Sequence, residues 1–438
     1  MNLKVVKFGG SSLADADHFR RVAEIINSDP DRRYVVASAP GKRFAGDSKV
    51  TDLLYKCYAI AADEGDITEI FEEIKGRYNA IIDELGIDID LTEAYEKIRT
   101  SLLHSTGRDY IASRGEYLNS MILAKYIGYS FIDAKKVIFF NEDGSFNAEK
   151  TNAVMRERLA GHERAVIPGF YGSMPNGTVK TFTRGGSDIT GSIIARAISA
   201  TLYENWTDVS GVLMADPRVI ENPKVIDVIT YKELRELSYM GATVLHEDAI
   251  FPVRYSKIPI NIRNTNNPEE KGTFIVPFTD KPNNNIVTGI AGKTGFSTIT
   301  IEKDMMNSDL GFARRATQVI EECGIPFEHC PSGIDTLTLV VSTDILDKKR
   351  GDVLAGICKN VNPDNIFVED NLALIAVVGR GMIKAKGTAA RVFTSLANAD
   401  INVRMIDQGS SELNIIIGVD SNDYVAAVNA IYREFIKR

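Results

Sequence analysis

The hydrophobic positions of this chain alternate between short continuous runs and stretches in which apolar residues recur every three or four positions. The continuous runs at residues 3–8 and 34–38 are typical of strands that are buried on both faces. Between these runs, the spacing of Phe19, Val22 and Ile25 predicts a helix with one apolar face. The chain is therefore expected to open with a strand, a helix and a second strand.

Further helices and strands follow in alternating order. Residues 52–128 are almost entirely helical in pattern, and short apolar runs then predict strands at 129–133, 136–140 and 165–168. A Pro-Asn-Gly sequence at 175–177 predicts the turn of a hairpin. Strands that alternate with helices indicate a three-layer α/β domain with a mostly parallel sheet, and such sheets bind ligands at the carboxyl ends of their strands.

The composition changes near residues 277–285, where two prolines and three asparagines predict a linker. Beyond it the chain reads as two ferredoxin-like units, of which the first has the full βαββαβ order and the second lacks one strand. Residues 285–291 are strand-like and unassigned, so we expect them to complete the second sheet, with the first unit inserted in the second. The alternative is an open sheet edge, which promotes aggregation.

The composition narrows the class of protein. A length of 438 residues suggests about two to four domains. The net charge of −8 makes nucleic acids and anionic membranes poor partners, and no apolar run is long enough for a membrane span. The four cysteines lack CxxC spacing, which fits a reducing cytoplasm and predicts neither a disulfide framework nor a zinc site.

The turn after the first strand reads KFGGSS from Lys7 to Ser12. Glycines allow the backbone to approach a ligand closely, and the free amides at the start of a helix favour an anion. Lys7 adds a mobile positive charge, although the Walker A pattern is absent. The segment indicates either a phosphate site or an ordinary βα turn with a surface lysine.

A second glycine pair lies in TRGGSD, residues 183–188, which leads into a helix. Arg184 suits bidentate capture of a carboxylate or phosphate. Asp188 suits an ammonium group, a lysine or Mg²⁺. A surface ion pair is the alternative interpretation.

Two more segments each admit two interpretations. TDVSGV at 207–212, followed by Asp-Pro-Arg at 216–218, suits either a nucleotide or a β-turn with incidental charges. In SRGE at 113–116, Ser113 and Glu116 have the spacing of a capping box, so a helix start competes with a functional role.

Together these segments resemble those of the aspartokinases, enzymes of the amino acid kinase superfamily. The motifs that carry the resemblance are KFGGSS at 7–12, SRGE at 113–116, PGF at 168–170, TRGGSD at 183–188, TDVSGV at 207–212, DPR at 216–218 and RNTNNPEEKGT at 263–273. The two C-terminal units resemble the paired ACT domains of monofunctional aspartokinases. The implied domains are a catalytic domain over 1–280, a first ACT domain over 295–370, and a second ACT domain formed by 284–294 and 371–438.

The resemblance implies Mg²⁺-ATP-dependent phosphorylation of the side-chain carboxylate of L-aspartate, giving 4-phospho-L-aspartate for the biosynthesis of lysine, threonine and methionine. A carboxylate is ionised at pH 7, so the reaction needs no general base. What remains is to align two anions and to neutralise charge on the transferring phosphoryl group. A kinase for another acidic amino acid such as glutamate, and a catalytically inactive amino-acid sensor, are the alternatives.

The resemblance also assigns candidate site residues. Those at catalytic positions are Lys7, Gly9, Gly10 and Asp188. Those at aspartate-binding positions are Ser12, Ser38, Thr51, Glu116, Phe170, Arg184 and Ser187. Those at ATP-binding positions are Lys7, Gly10, Thr207, Asp208, Leu213, Asp216, Arg218 and Thr243. In these roles Arg184 binds the substrate carboxylate, Glu116 binds the substrate amine, and Asp188 organises the catalytic lysine and the metal.

Thr243 is a departure from the family, because many members carry a phosphate-binding lysine there. Either Lys7, Arg218 and Mg²⁺ are enough to neutralise the nucleotide phosphates, or Lys257 or another basic residue supplies the missing charge. The segment from Ser38 to Thr51 is also longer than is usual in the family.

ACT pairs of this family bind an end-product amino acid, and lysine is favoured over threonine here because Glu328 matches a position that reads the effector amine. The resemblance implies a homodimer through the ACT domains and leaves pairing into tetramers open. A plain dimer interface is the alternative role for the candidate effector residues, which are Met306, Asp309, Gly311, Phe312, Phe327 and Glu328.

Overall fold

The computed structural model of the chain describes residues 2–104, 107–183, 185–242, 245, 247–279 and 285–436. The chain forms two units. The first comprises Met1–Val212, Val225–Lys232 and Thr243–Thr279, and the second comprises Leu213–Lys224, Glu233–Ala242 and Asp280–Arg438. Within the predicted linker, residues 280–284 lie outside the described part of the chain. No helix in the described part is long and apolar enough to cross a membrane.

The elements up to residue 276 alternate as the sequence predicts. The strands are β1 Lys4–Phe8, β2 Arg32–Ala37, β3 Ser130–Phe131, β4 Ala165–Pro168, β5 Tyr171–Ser173, β6 Val179–Thr181, β7 Leu202–Thr207, β8 Val228–Thr230, β9 Ile260–Asn264 and β10 Thr273–Val276. The helices are α1 Ala16–Asn27, α2 Val50–Ala62, α3 Thr68–Leu85, α4 Thr92–Leu103, α5 Arg108–Ile127, α6 Ala148–Ala160, α7 Gly186–Ala197, α8 Tyr231–Tyr239 and α9 Glu247–Ser256.

Eight strands of the first unit form one sheet in the order β3-β4-β2-β1-β7-β9-β10-β8. Every neighbouring pair is parallel except β9 and β10. The hairpin predicted around residues 175–177 is formed by β5 and β6. The mostly parallel sheet confirms the predicted fold class of this domain.

Two groups of helices cover the sheet. Helices α1 to α5 pack together over a core that includes Phe8, Phe19 and Trp206, all almost fully buried. Helices α6, α7 and α9 form the other group, and α7 crosses β1, β2 and β7. Because both faces are covered, the central strands are continuous apolar runs, as the sequence pattern indicates.

Two local predictions for this unit are wrong. Residues 136–140 do not form a continuous strand. The Asp133 side chain accepts the Lys135 amide and starts a 3₁₀ turn at Ala134–Lys136, and Phe139 and Phe140 make isolated β-bridges. Ser113 is not a helix N-cap, since α5 begins at Arg108. The buried Ser113 hydroxyl instead donates to the carbonyl of Tyr110 at 2.6 Å, so the capping-box interpretation fails.

The second unit contains the remaining elements and most of α8. Its strands are β11 Gly289–Glu302, β12 Phe327–His329, β13 Thr336–Ser342, β14 Asn365–Val378, β15 Met405–Asp407 and β16 Asn414–Asp420. Its helices are α10 Phe312–Glu322, α11 Thr343–Leu346, α12 Arg350–Val361, α13 Thr388–Asn398 and α14 Tyr424–Phe435. The strands form one antiparallel sheet in the order β12-β13-β11-β14-β16-β15.

The strand expected to complete the second ferredoxin-like unit does so, but it begins at Gly289 rather than at residue 285. Its first part pairs with the second half of β14, from Ile290 with Val377 to Lys293 with Leu374. After a register shift, the same strand continues into the first ferredoxin-like unit. Both β11 and β14 therefore run through the two ferredoxin-like units and join them into a single sheet. The sequence had suggested separate short strands.

Candidate active site

The carboxyl ends of four neighbouring parallel strands meet at one edge of the first sheet. Phe8 at the end of β1 is in register with Ala37 of β2 and Trp206 of β7, and Ala37 is in register with Pro168 of β4. The motifs that follow these strands are therefore brought together, although they are far apart in the chain.

A hydrogen-bonded ion pair lies at this edge. The buried ammonium group of Lys7 is 2.6 Å from Asp188 Oδ1. Asn205 on β7 joins both groups, because its Nδ2 donates to Asp188 Oδ1 at 3.0 Å and its Oδ1 accepts from Lys7 Nζ at 3.3 Å. The two glycine-pair motifs therefore share one charged centre.

The Gly9-Gly10 turn is packed tightly against the segment that follows β2. Gly9 donates its amide to Trp206 O at 3.0 Å, and Gly41 donates to Gly10 O at 2.8 Å. A Cβ on Gly41 would lie 2.6 Å from the carbonyl carbon of Gly10, so only glycine fits there. This close approach fixes the turn beside Lys7.

The second glycine pair starts α7. Gly185 has a φ of +57° at the N-cap, a left-handed conformation that favours glycine. Ser187 and Asp188 therefore lie in the first turn, where free amides face outward. Arg184, the candidate carboxylate-binding residue, lies outside the described residues.

Glu116 on α5 places a buried carboxyl group beside this centre. Its Oε2 atom has no hydrogen-bond partner among the described residues. Burial raises the pKa of Glu116 to about 8, and the amide of Ala39 and the charge of Arg114 offset only part of that effect. A fully buried carboxyl group with a free oxygen is suited to bind a cationic ligand group.

Two adjoining cavities share the walls of the site. The Asp188 cavity, of about 370 Å³, is lined by Lys7, Phe170, Ser187 and Asp188 together with Asp52. The Asp208 cavity, of about 610 Å³, is lined by residues 38–42, 44 and 45 together with Thr207 and Asp208. Both cavities are lined by Gly9, Gly10, Ser38, Lys49, Thr51 and Glu116.

Phe170 has an unusual backbone conformation for a residue with a side chain. Its φ is +81°, and its amide donates to Thr190 Oγ1 at 3.1 Å while its carbonyl accepts from Phe182 at 2.9 Å. These bonds hold a strained conformation in place at the wall of the Asp188 cavity, and such strain tends to be retained at functional sites.

Most of the other candidates are placed as follows. Ser12 is buried and its hydroxyl is hydrogen-bonded to that of Thr265 at 2.7 Å, so it does not line either cavity. Leu213, Asp216 and Arg218 belong to the second unit. There Arg218 is paired with Asp216 at 2.6 Å and is 85% exposed, and Arg218 holds the pKa of Asp216 below its usual value. Thr243 lies outside the described residues.

The candidate effector residues lie in the first ferredoxin-like unit. Gly311, with a φ of +80°, caps α10 and precedes Phe312, and Asp309 is paired with Arg315 at 2.7 Å. Met306 is buried in a 3₁₀ turn, whereas Phe327 on β12 is 46% exposed. Glu328 is hydrogen-bonded to the hydroxyl of Tyr239, and burial together with this bond raises the pKa of Tyr239 to about 12.

Sequence reasoning missed several residues of the site. Asn205 is inside an apolar strand and carries no motif, although an amide in a buried strand is itself a signal of a polar partner. Lys42 and Lys49 belong to the segment whose unusual length was noted. Nothing in the sequence marks Arg77 on α3 as a site residue, because only the fold brings it into contact with the segment from Ser38 to Thr51.

Arg77 fixes the 38–51 loop, which is the segment from Ser38 to Thr51. Its guanidinium donates to the carbonyls of Gly41 at 2.8 Å and Ser48 at 3.0 Å, and it lies 3.1 Å from Asp47. Asp47 is also paired with Arg43 at 2.8 Å. A buried arginine therefore holds the backbone that carries Lys49.

The carboxylates that line the cavities form no ready-made metal site. Within the ranges that the structure describes, no group of three or more His, Cys, Asp or Glu residues is placed to hold a metal ion. A divalent ion at this edge would therefore take one or two carboxylates and fill its remaining positions with ligand oxygens, as Mg²⁺ does with nucleotides.

Residues 2–264 match the amino acid kinase family, and residues 375–435 match an ACT domain. Aspartokinase 3 of Bacillus subtilis (strain 168) is 41% identical over 448 residues, covering 99% of this chain and 98% of that protein. Aspartokinase 1, chloroplastic, of Arabidopsis thaliana is 29% identical over 473 residues, covering 99% of this chain and 80% of that protein.

Solved structures are similar over the same length. The crystal structure of Clostridium acetobutylicum aspartate kinase matches with a TM-score of 0.90 and 51% identity, covering 100% of both chains. Escherichia coli aspartokinase III in complex with aspartate and ADP (R-state) matches with a TM-score of 0.74 and 25% identity, covering 99% of each chain. The same enzyme in complex with lysine and aspartate (T-state) matches with a TM-score of 0.72 and 26% identity, covering 99% of this chain and 100% of that chain.

Proposed function

This chain belongs to the aspartokinases of the amino acid kinase family, and from that premise we propose that it transfers the γ-phosphoryl group of ATP to the side-chain carboxylate of L-aspartate. Its full-length similarity to Aspartokinase 3 of Bacillus subtilis supports this assignment. The single observation that carries it is the ion pair between Lys7 and Asp188, which lies between two glycine-rich turns and lines the Asp188 cavity.

The geometry suits phosphoryl transfer between two anions. Lys7 and the amide of Gly10 neutralise charge on the transferring group, and Asp188 orients Lys7. The Gly9 amide is already bonded to Trp206 O, so Gly9 contributes through the close approach of its backbone. Transfer forms a bond between a carboxylate oxygen and the γ-phosphorus and breaks the bond to the bridging oxygen, whose electrons leave with ADP. The acceptor is already ionised, so no residue has to remove a proton.

The substrate roles follow from the two cavities. We assign aspartate to the Asp188 cavity, with its amine on Glu116 and contacts from Phe170 and Ser187. Ser38 and Thr51 line both cavities, and the sequence resemblance adds Ser12 and Arg184 to the set. ATP approaches through the Asp208 cavity, past Thr207 and Asp208. The solved complex of Escherichia coli aspartokinase III with aspartate and ADP supports a site for this pair of ligands.

Mg²⁺ enters with ATP. One or two of the carboxylates at the cavity walls suffice for an ion that also binds phosphate oxygens, and Asp188 is the candidate paired with Lys7. When bound, the ion neutralises charge on the phosphates.

Regulation by lysine is the second part of the proposal. Escherichia coli aspartokinase III has been solved with lysine, and here Glu328 supplies a carboxylate for an effector amine. The turn at Gly311 and the start of α10 supply amides for an effector carboxylate, together with contacts from Met306, Asp309, Phe312 and Phe327. The resemblance to ACT pairs supports a homodimer through these domains.

We also propose the domain limits and the compartment. The catalytic domain comprises 1–280, the first ACT domain 295–370, and the second ACT domain 284–294 with 371–438. Strands β11 and β14, which run through both ACT domains, support the insertion of the first in the second. Four free cysteines support a reducing compartment, the cytoplasm.

An assay of ADP release with different acceptors tests the proposed activity. We expect release with L-aspartate and Mg²⁺-ATP, little release with L-glutamate, and none without an acceptor. Trapping the product with hydroxylamine distinguishes an acyl phosphate from plain ATP hydrolysis. Preference for glutamate would reassign the substrate, and binding of amino acids without any ADP release would identify a sensor.

A further inference from the structure

Lys49 lies where the two cavities of the active site meet. It lines both the Asp188 cavity and the Asp208 cavity, as do Gly9 and Gly10 of the first glycine turn. Lys42, the other lysine of the 38–51 loop that lines a cavity, lines the Asp208 cavity alone. Lys49 is thus the loop lysine placed beside both the acceptor and the nucleotide.

The charge of Lys49 is available for a ligand. Lys7, the other cavity-lining lysine near the glycine turn, is already neutralised in part by Asp188 at 2.6 Å. Lys49 forms no ion pair or side-chain hydrogen bond within the part of the chain that the structure describes, and its side chain is exposed to the cavities. Because Lys7 is already paired with Asp188, an unpaired cation at this point adds positive charge that Lys7 does not supply.

The backbone of Lys49 is fixed although its side chain is free. Its carbonyl accepts from the amides of Asp52 at 3.0 Å and Leu53 at 3.1 Å at the start of α2. The preceding carbonyl, that of Ser48, accepts from the buried Arg77 at 3.0 Å. The loop therefore delivers the ammonium group from a rigid support, which reduces the entropy cost of binding.

We propose that Lys49 binds the γ-phosphoryl group of ATP and remains bound to it during transfer to the acceptor. The inference rests on the proposed kinase function and adds a second lysine to it. Lys49 exchanges no proton in the step, because the acceptor is a carboxylate and the leaving group departs as ADP. Its contribution is charge neutralisation at the position between the two cavities.

Isothermal titration with ATP and with ADP, both with Mg²⁺ and without aspartate, tests this inference. We expect Lys49→Met to weaken ATP binding by about ten- to a hundredfold, since a charge-assisted hydrogen bond is lost, and to weaken ADP binding by less than about threefold. Lys49→Arg is expected to retain most of the ATP affinity. Lys56→Met is the matched control, because Lys56 is an exposed lysine on α2 that lines neither cavity.

The outcomes separate this inference from the proposed function. Equal loss of ATP and ADP affinity in Lys49→Met, or no loss of either, would overturn the role of Lys49 even if the wild-type enzyme phosphorylates aspartate. If the wild-type protein binds ATP but never phosphorylates aspartate, the proposed function fails. The difference between the losses of ATP and ADP affinity in Lys49→Met still decides whether Lys49 binds the γ-phosphoryl group. An unchanged thermal unfolding midpoint in Lys49→Met shows that the fold is intact.

Discussion

The ammonium group of Lys7 lies 2.6 Å from the carboxylate of Asp188, and Asn205 is hydrogen-bonded to both. Lys7 lies near the end of β1, Asp188 lies in the first turn of α7, and Asn205 lies on β7. Three elements from distant parts of the chain therefore set the position of one positive charge. A lysine held in this way needs little reorganisation when a phosphoryl group approaches.

Removing the Lys7 charge should abolish most of the catalytic rate. We expect Lys7→Met to lower kcat by about 10²–10³-fold, as the loss of one preorganised donor does elsewhere. Steady-state kinetics with saturating ATP and aspartate measure the effect. Lys4→Met is the control, because Lys4 lies on the same strand and pairs with Asp29 at 2.5 Å, away from the cavities. Equal rates for the two variants would contradict the role of Lys7.

Glu116 should make the stability of the first unit depend on pH. The pKa of this carboxyl is raised by burial to about 8 from 4.5, so the folded protein binds a proton that the unfolded chain releases. Its contribution is therefore most favourable below pH 4.5 and is lost as the pH rises to about 8. Relative to Glu116→Gln, the free energy of unfolding of the wild type should fall by about 1.4 kcal/mol per pH unit in this window.

The single tryptophan allows the unfolding of the first unit to be measured separately. Trp206 is buried in the core of the first unit, so its fluorescence during urea denaturation follows the unfolding of that unit. Parallel curves for the wild type and Glu116→Gln between pH 5 and pH 8 would show that Glu116 does not titrate there.

Aspartate binding should release a proton. If the substrate amine pairs with Glu116, binding converts a carboxyl that is mostly protonated at pH 7 into a carboxylate. Titration calorimetry in buffers with different ionisation enthalpies should give about one released proton per site for the wild type. Glu116→Gln should bind aspartate more weakly and release none, and release that persists in this variant would assign the proton to another group.

Arg77 should stabilise the 38–51 loop. Arg77→Met leaves Asp47 and the carbonyls of Gly41 and Ser48 without their buried partner, and should cost about 3–5 kcal/mol of the unfolding free energy. Arg43→Met should cost less than about 1 kcal/mol, since Arg43 is partly exposed and Arg77 still pairs with Asp47. Urea denaturation followed by Trp206 fluorescence compares them, and a similar cost for both variants would contradict this role of Arg77.

Glu328 should determine the response to lysine. We expect L-lysine to inhibit the wild type, and Glu328→Gln to raise the inhibitory concentration by about tenfold or more, because the effector amine loses a charged partner. The KM for aspartate without lysine should stay unchanged. Glu321→Gln, on the exposed side of α10, is the control. Inhibition that is identical in both variants, or that responds to threonine alone, would contradict the assignment.

Much of the fold follows from local pattern. The alternation of buried runs with amphipathic segments predicted the mostly parallel sheet, because strands covered on both faces must be apolar throughout. The glycine pairs after β1 and before α7 predicted where the backbone turns sharply beside a ligand. These features can be predicted from the sequence because each depends on a few neighbouring residues.

Other features were misread for physical reasons. The capping-box interpretation of Ser113 and Glu116 failed because α5 begins at Arg108, and helix starts are weakly marked where neighbouring turns are all helical. The continuous strands β11 and β14 were read as separate short ones, since the register shift near Lys293 breaks the apolar alternation. The pattern of apolar residues along the chain indicates which positions are buried, whereas the pairing of strands depends on contacts between distant segments.

The sequence by itself determined the class of fold, the two glycine-rich turns and the candidate chemistry of Lys7 and Asp188. Only the tertiary structure decided that Asn205 joins these two residues, that Glu116 is buried with a raised pKa, and that Arg77 holds the loop that carries Lys49. The reason is that a residue type sets what a group can bind, whereas its charge state and its partners depend on burial and distance. Both of these arise only when separate segments pack together.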